Sequence, residues 1–317
     1  MVCNWGVLGA GFIANRAMIP AIQQSSRARV LAVASRDEQR GHETAQRFSI
    51  ERVYHDYRAL LDDPDVQVVY IALPNHLHHE WTIRAARAGK HVLCEKPLAL
   101  NAAECDDIIS TCHSLKVLFM EAVMYRFHPR MQALKRMLVA GEVGELRFIH
   151  AAFSFPFDAP ANYRGFPQFG GGALLDVGSY CVNAARWLSD SEPTAIHPVF
   201  SYSQNNIDLS ASAILQFGPR LAAHIQCSFM AAEHQVIEIV GSEAAITAPL
   251  AFTAWRDDST ALLIQRGATF ERREFVPADP YGLMVEHFTD CVLEQSTLMY
   301  PPEDGRNTLR VLDALRA

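Results

Sequence analysis

Residues 5–14 read WGVLGAGFIA, and the reading of this stretch decides the fold. Trp5, Val7 and Leu8 form a short apolar run that stops at a glycine, and a helical pattern begins beyond the next glycine. Gly9, Gly11 and Ala14 stand between the two in the spacing G-x-G-x-x-A. Each has a separate task in a strand–turn–helix unit. Gly9 permits the tight turn, Gly11 lets a pyrophosphate approach the backbone, and Ala14 lets the helix pack on the strand. Phe12 and Ile13 complete the turn, where the free N–H groups of the helix start would face phosphates. A plain βα turn can carry three small residues by chance. The strand before and the helix after favour a dinucleotide-binding turn, with Gly9, Gly11, Phe12 and Ile13 against the cofactor.

Downstream, short apolar runs keep alternating with helical patterns. Strands are expected at Val30–Ala34, in RVYHDY, VQVVYIAL, HVLCE and VLFMEAV, with helices between them and Asn101 capping the one after HVLCEKPLAL. This rhythm predicts a doubly wound parallel sheet, apolar on both faces. After residue 122 the rhythm changes. Helices around 128–140 and in ALLDVGSYCVNAARWL precede a run of strands from about 194 to 276, where SAILQFGPRLAAHIQCSF and HQVIEIVGSEAAITA read as antiparallel hairpins. Helices at about 281–296 and 303–316 close the chain. The fold class is therefore α/β: an N-terminal doubly wound domain over 1–122 and a second, α+β domain with an antiparallel sheet over 123–302. The terminal helix, about 303–317, is free to pack back on the first.

The chain has 317 residues and a net charge of −7, which speaks against a sequence-independent grip on nucleic acid. No apolar run approaches the roughly 18 residues of a membrane span. Seven scattered cysteines, with no Cys-x-x-Cys, suggest reduced thiols rather than disulfides or zinc. The start, MVCNWGVLGAG, carries no basic region followed by an apolar signal core, so a cytoplasmic protein is expected.

The second strand ends in AVASRD. An acidic residue there would bind an adenosine ribose, but Ser35 and Arg36 occupy the place and Asp37 follows one step late. A hydroxyl beside a guanidinium suits a 2′-phosphate, which favours NADP over NAD. ALPNHLHHE follows the fourth strand and puts Leu73, Asn75 and His78 beside the cofactor, Asn75 as a helix cap and His78 in a packing or capping role. His76, His78 and His79 lack metal-site spacing, and no metal is expected. HVLCEKPLALN, residues 91–101, ends an apolar strand abruptly in Glu95, Lys96 and Pro97. Strand ends in an open α/β sheet form the ligand crevice.

With EAVMYRFHP, NYRGFPQFGGGALLDVGSYCVNAARWL, MVEHFTDCV and DGRNTLRVLDALR, these segments make the chain resemble the glucose–fructose oxidoreductase/inositol dehydrogenase family along nearly its whole length. The central blocks are most similar to the branch of dimeric dihydrodiol dehydrogenases and NADP-dependent xylose and aldose dehydrogenases. The resemblance implies a Rossmann domain followed by a large, mostly antiparallel open sheet. It implies Lys96 between nicotinamide and substrate, Glu95 holding that lysine, and Pro97 fixing the turn.

In the block Asp176-Val177-Gly178-Ser179-Tyr180, many family members carry histidine where this chain has Tyr180, a tyrosine the dihydrodiol and aldose branch shares. Asp176 and Tyr180 fall on one helical face. From the residues alone, Tyr180 reads equally as a buried tyrosine with a satisfied hydroxyl; the resemblance implies an acid/base, with Lys96 lowering its pKa and Asp176 orienting a substrate hydroxyl. Arg126, His128 and Arg164 are candidates for the polyol side of the pocket, and Phe153, Phe155, Phe157, Phe166 and Phe169 for its apolar side. The expected activity is hydride transfer between NADP and a cyclic polyol, an aldose or a trans-dihydrodiol. The alternatives are a sugar–sugar oxidoreductase with tightly bound NADP and a non-catalytic cofactor-sensing regulator. A homodimer or dimer of dimers is expected, since one face of the open sheet needs cover.

Overall fold

The computed structural model describes residues 2–157 and 162–317. They form two compact units, Met1–Met124 with Tyr281–Arg306, and Tyr125–Pro280 with Asn307–Ala317.

In the first unit β1 (Cys3–Leu8) leads through a helical turn of π type (Ala14–Met18) into α1 (Ile19–Gln24). There follow β2 (Ala28–Ala34), α2 (Glu38–Phe48), β3 (Arg52–Tyr54), α3 (Tyr57–Leu61), β4 (Val68–Ile71), α4 (His78–Arg87), β5 (His91–Cys94), α5 (Ala102–Leu115) and β6 (Phe119–Glu121). The strand order is β3-β2-β1-β4-β5-β6, and all pairs are parallel. Val68–Ile71 are buried throughout, as are Val92–Cys94, because helices cover the sheet on both sides of the strands. Asn101 caps α5 by accepting from the Glu104 N–H at 2.9 Å, as its position suggested.

The second unit contains α6 (Pro129–Val139), β7 (Leu146–Ser154), a π turn (Leu174–Gly178) running into α7 (Ser179–Ser189), and β8 (Ala195–Tyr202), β9 (Asp208–Phe217), β10 (Leu221–Ser228), β11 (His234–Gly241), β12 (Ala245–Pro249), β13 (Thr260–Arg266) and β14 (Thr269–Phe275). Its eight strands run in the order β14-β13-β12-β11-β7-β10-β9-β8. The hairpins β9–β10 and β11–β12 are antiparallel as expected. The central strand β7 has no counterpart in the run of strands read from residue 194 onward, and it pairs parallel to β10. Helix α7 packs against β7 and β10.

The remaining helices are α8 (Pro280–Glu294) and α9 (Pro302–Arg316). The sequence reading placed the first of these with the second domain. In the fold, α8 from Tyr281 onward joins the first unit, where Phe288 meets Trp5 edge-on at 5.8 Å and Arg27 pairs with Asp290 and Glu294. Residues of α9 as far as Arg306 belong with the first unit and those from Asn307 with the second. Among the described residues, no helix is long and apolar enough to cross a membrane, and the seven cysteines are free and buried.

Candidate active site

At the end of β1 the chain turns at Gly9 with φ +99°, and a Cβ there would lie 2.5 Å from the Ala72 carbonyl oxygen. A Cβ added at Gly11 would meet nothing within 4 Å, so the backbone there borders open space. The Asn15 side-chain amide locks the turn by donating to the carbonyls of Ala10 and Gly11 at 3.0 and 2.9 Å. Ala14 is fully buried, and Phe12, 76% exposed, points away from the core. A bare backbone at a helix start, facing open space, fits a pyrophosphate.

Ser35 follows β2 and is buried, whereas Arg36 is exposed with its guanidinium 5.9 Å from the centre of the Tyr57 ring. Asp37 has a different task. Its carboxylate caps α2, accepting from the Arg40 N–H at 3.0 Å, and its own N–H donates to the Ser35 hydroxyl at 3.2 Å.

Beyond β4, Leu73 and Asn75 are buried. Asn75 stands at the first position of a 3-10 turn rather than at the N-cap of α4, which is Leu77. A single 3-10 turn over Asn75–Leu77 precedes α4, and neither element has a side-chain cap at its start, so the turn itself leads the chain into the helix. His78 is fully buried, with Nδ1 2.7 Å from the Pro97 carbonyl and Nε2 2.8 Å from the Leu73 carbonyl. Burial holds its pKa below the usual histidine value, and the Lys96 charge adds to the effect. A neutral ring thus staples the loop after β4 to the turn after β5, in keeping with the packing role read for it.

That turn holds Glu95 and Lys96. Glu95 is buried and accepts a 2.5 Å hydrogen bond from the Tyr70 hydroxyl on β4. Lys96 is half-buried, and the Lys96–Pro97 peptide is cis. The lysine therefore stands between a carboxylate anchored by Tyr70 and a carbonyl anchored by His78.

In the second unit, Asp176 lies in the π turn and Tyr180 in the first turn of α7. The Asp208 carboxylate accepts from the Leu174 N–H at 2.6 Å and so caps this helix start. Burial raises the pKa of Asp208 to about 6, more than its backbone hydrogen bonds and Arg316 lower it. Arg164 grips Asp176 with two bonds, Nε to Oδ2 at 2.7 Å and Nη2 to Oδ1 at 3.2 Å. The Tyr180 ring is caged by Phe252, Phe153 and Tyr125, with centroids at 5.5, 5.6 and 6.0 Å. Phe155 and Phe157 cluster with Phe229, and Phe166 pairs with Phe169 at 5.7 Å.

Arg126 and His128 are both buried. Arg126 Nε donates to Asn183 Oδ1 at 2.9 Å, and its guanidinium lies 5.2 Å from the Trp187 ring centre. His128 caps α6, Nδ1 accepting from the Arg130 N–H at 3.1 Å. Burial, with help from the Arg130 charge, lowers its pKa to about 4. Sequence reading missed Tyr70, Phe252 and Asp208, since nothing in the local pattern marks a buried tyrosine or a distant cap. No group of three or more His, Cys, Asp or Glu among the described residues is arranged to hold a metal ion.

A glycine turn of this form, opening a helix on a doubly wound parallel sheet, defines a dinucleotide-binding class. The chain belongs to the GFO/IDH/MocA oxidoreductase family: residues 3–123 match its NAD-binding Rossmann fold and residues 131–247 its C-terminal domain. It is similar to D-xylose 1-dehydrogenase (NADP(+)) 2 of Haloferax volcanii, 34% identical over 313 residues that cover 98% of this chain and 95% of that one. Trans-1,2-dihydrobenzene-1,2-diol dehydrogenase of Mus musculus is 37% identical over 230 residues, covering 72% of this chain and 69% of that one. Among solved structures, KijD10, a 3-ketoreductase from Actinomadura kijaniata in complex with NADP and TDP-benzene, matches with a TM-score of 0.94 at 29% identity, covering 100% of this chain and 97% of that one. KijD10 has also been solved with a lysine replaced and with a tyrosine replaced, at the same separation along the chain as Lys96 and Tyr180.

Proposed function

We propose that this enzyme is an NADP-dependent dehydrogenase of a cyclic polyol, either an aldose of the xylose or glucose type or a trans-dihydrodiol. Tyr180 acts as its acid/base, and Lys96 as its cationic partner. The observation that carries the reading is the setting of Tyr180: a buried ring caged by three aromatics, one helical turn from the Arg164–Asp176 pair. The same separation of lysine and tyrosine in KijD10 supports it.

When bound, NADP supplies the hydride acceptor at nicotinamide C4. The chain does the rest. Gly9, Gly11, Phe12 and Ile13 bind the pyrophosphate, Ser35 and Arg36 the 2′-phosphate, and Leu73 and Asn75 border the ribose and nicotinamide on a loop that His78 holds in place. In oxidation the Tyr180 oxygen takes the hydroxyl proton as hydride leaves the same carbon, giving a carbonyl; in reduction the proton returns. The Lys96 ammonium stabilises both tyrosinate and developing alkoxide. Asp176 and Arg164 orient neighbouring hydroxyls, and Phe155 and Phe157 cover the apolar side of the ring. We place the enzyme in the cytoplasm as a homodimer or dimer of dimers.

The test mixes protein, NADP and a panel of aldoses and dihydrodiols and follows absorbance in the reduced-nicotinamide band. Reduction of free NADP by a member of the panel is expected. Bound cofactor that cycles only between two sugars would make it a sugar–sugar oxidoreductase, and silence across the panel would overturn the reading.

A further inference from the structure

Arg164 and Asp176 look separately like polyol ligands, yet they are bound to each other. Both carboxylate oxygens of Asp176 meet guanidinium nitrogens, and the Asp176 side chain is only 6% exposed. The guanidinium also lies 4.7 Å from the Tyr163 ring centre and 5.8 Å from that of Phe157. Its backbone is fixed as well. The Arg164 N–H donates to Asn162 Oδ1 at 3.1 Å, and the Arg164 carbonyl accepts from the Gly172 N–H at 3.0 Å. Gly171 packs so closely on that carbonyl that an added Cβ would lie 2.4 Å from its oxygen. A bidentate pair held at both ends is a fixed charge arrangement rather than a mobile ligand grip.

The pair lies one helical turn from Tyr180, and the charges feel one another. Burial works against the Arg164 cation, but Asp176 outweighs it, and Tyr163 and Tyr180 push the same way, so the guanidinium stays charged. The following second-unit groups near Tyr180 are less able to set its ionisation. Phe153 and Phe252 carry no charge, and the Tyr125 hydroxyl is bound to Asn183 Oδ1 at 2.7 Å. Burial keeps the thiols of Cys181 on α7 and Cys227 on β10 neutral. Asp208 on β9 faces the helix start as its cap.

We propose that the Arg164–Asp176 pair is a positioning and tuning device for the acid/base: Arg164 favours the Tyr180 anion and Asp176 limits that effect. This rests on Tyr180 being the acid/base. It adds a cation within the second unit to the one that Lys96 contributes. Removing either partner leaves the opposite charge of the pair uncompensated by it one helical turn from the tyrosine, so the two removals act in opposite directions.

The experiment measures kcat for oxidation against pH, at saturating NADP and substrate, for Arg164→Gln, Asp176→Asn, Arg164→Lys and the double variant. Arg164→Gln is expected to move the apparent pKa of the alkaline limb up by about one unit or more. Asp176→Asn is expected to move it down. Arg164→Lys should restore much of the parent profile, and the double variant should return toward it. Tyrosinate absorbance, as the difference between each protein and its Tyr180→Phe counterpart, reads the same shifts without turnover and covers a variant that folds but is inactive. Higher KM with unmoved profiles would make the pair a substrate grip and nothing more, and equal losses in both variants without opposite shifts would make it scaffold; either overturns the proposal. Tyr180→Phe with parent kcat would instead overturn the acid/base reading itself. If Arg164→Gln does not fold, Asp176→Asn and Arg164→Lys still decide the sign.

Discussion

In the function proposed above, a single side chain, Arg36, carries the choice of cofactor. It is exposed beside Tyr57, while the carboxylate of the next residue, Asp37, is engaged in capping α2. One charge-assisted pair with a 2′-phosphate is worth about 1.4 kcal/mol or more, so NADP should bind at least about tenfold tighter than NAD. Replacing Ser35 with Asp and Arg36 with Ala should reverse the order in a fluorescence titration, and equal affinities in the parent would refute the assignment. The chemistry is equally local. Tyr180→Phe should lower kcat by about 10²–10⁴-fold while NADP affinity stays near the parent value. Lys96→Met should lose at least as much, because it removes the partner of both tyrosinate and alkoxide. Near-normal turnover in Tyr180→Phe with a dead Lys96→Met would make lysine the proton carrier. Tyr70→Phe leaves the buried Glu95 carboxylate one donor short, and should lower unfolding stability by about 1–3 kcal/mol in urea titrations.

The helix that carries Asp176 and Tyr180 starts on Asp208, and this cap makes its stability pH-dependent. The folded-state pKa of about 6 lies above the ordinary value of 3.8. The folded chain therefore binds a proton between these values that the unfolded chain does not. The sign follows: this contribution is fully present below about pH 4 and is lost as pH rises through 6, at about 1.4 kcal/mol per pH unit within the window. Asp208→Asn keeps an acceptor for the Leu174 N–H but has no proton to lose. Urea unfolding between pH 7 and 4.5 should show the parent gaining stability relative to Asp208→Asn as pH falls; parallel curves would count against it. Close packing fixes the same element sideways, since a Cβ on Gly178 would lie 2.9 Å from Cys227 Sγ on β10. β7 illustrates what is hard to read at this scale. Its run LRFIHAAFS alternates only in part, because Ala151 to Ser154 are buried without a break at the middle of the sheet.

Across the second sheet, one row of paired positions reads Arg272, Leu263, Thr247, Glu238, His150, His224, Ile214, His197 from edge to edge. Its neighbours Ile149, Ile237, Ile239 and Ile225 are buried on the opposite face, whereas Ile214 is 50% exposed and Leu263 36%. Such a face, part apolar and rich in histidine, is where the homodimer is expected to form. Light scattering at micromolar concentration should report at least a dimer at neutral pH, and a monomer would exclude it. His150 and His224 stack at 5.3 Å, and burial together with the His150 charge lowers the His224 pKa. Protonating both rings therefore costs repulsion, and dissociation should become easier as pH falls below the histidine range.

The sequence by itself determined the strand–turn–helix around Gly9, the parallel order implied by its repetition, the cap at Asn101 and the Ser35–Arg36 end of β2. These depend on residues within a few positions of one another, so local sterics and hydrogen bonding suffice to read them. It also marked Lys96, Asp176, Tyr180 and Arg164 as chemistry-bearing. Only the tertiary structure decided what each of them touches: that Arg164 is bound to Asp176, that Tyr70 anchors Glu95, that His78 staples Leu73 to Pro97, that Arg126 donates to Asn183 and that His128 caps α6. It alone put β7 at the centre of its sheet and joined α8 to the first unit. Those outcomes turn on which distant side chains exclude water together, and burial and charge pairing between residues far apart in sequence leave no periodic trace in the chain.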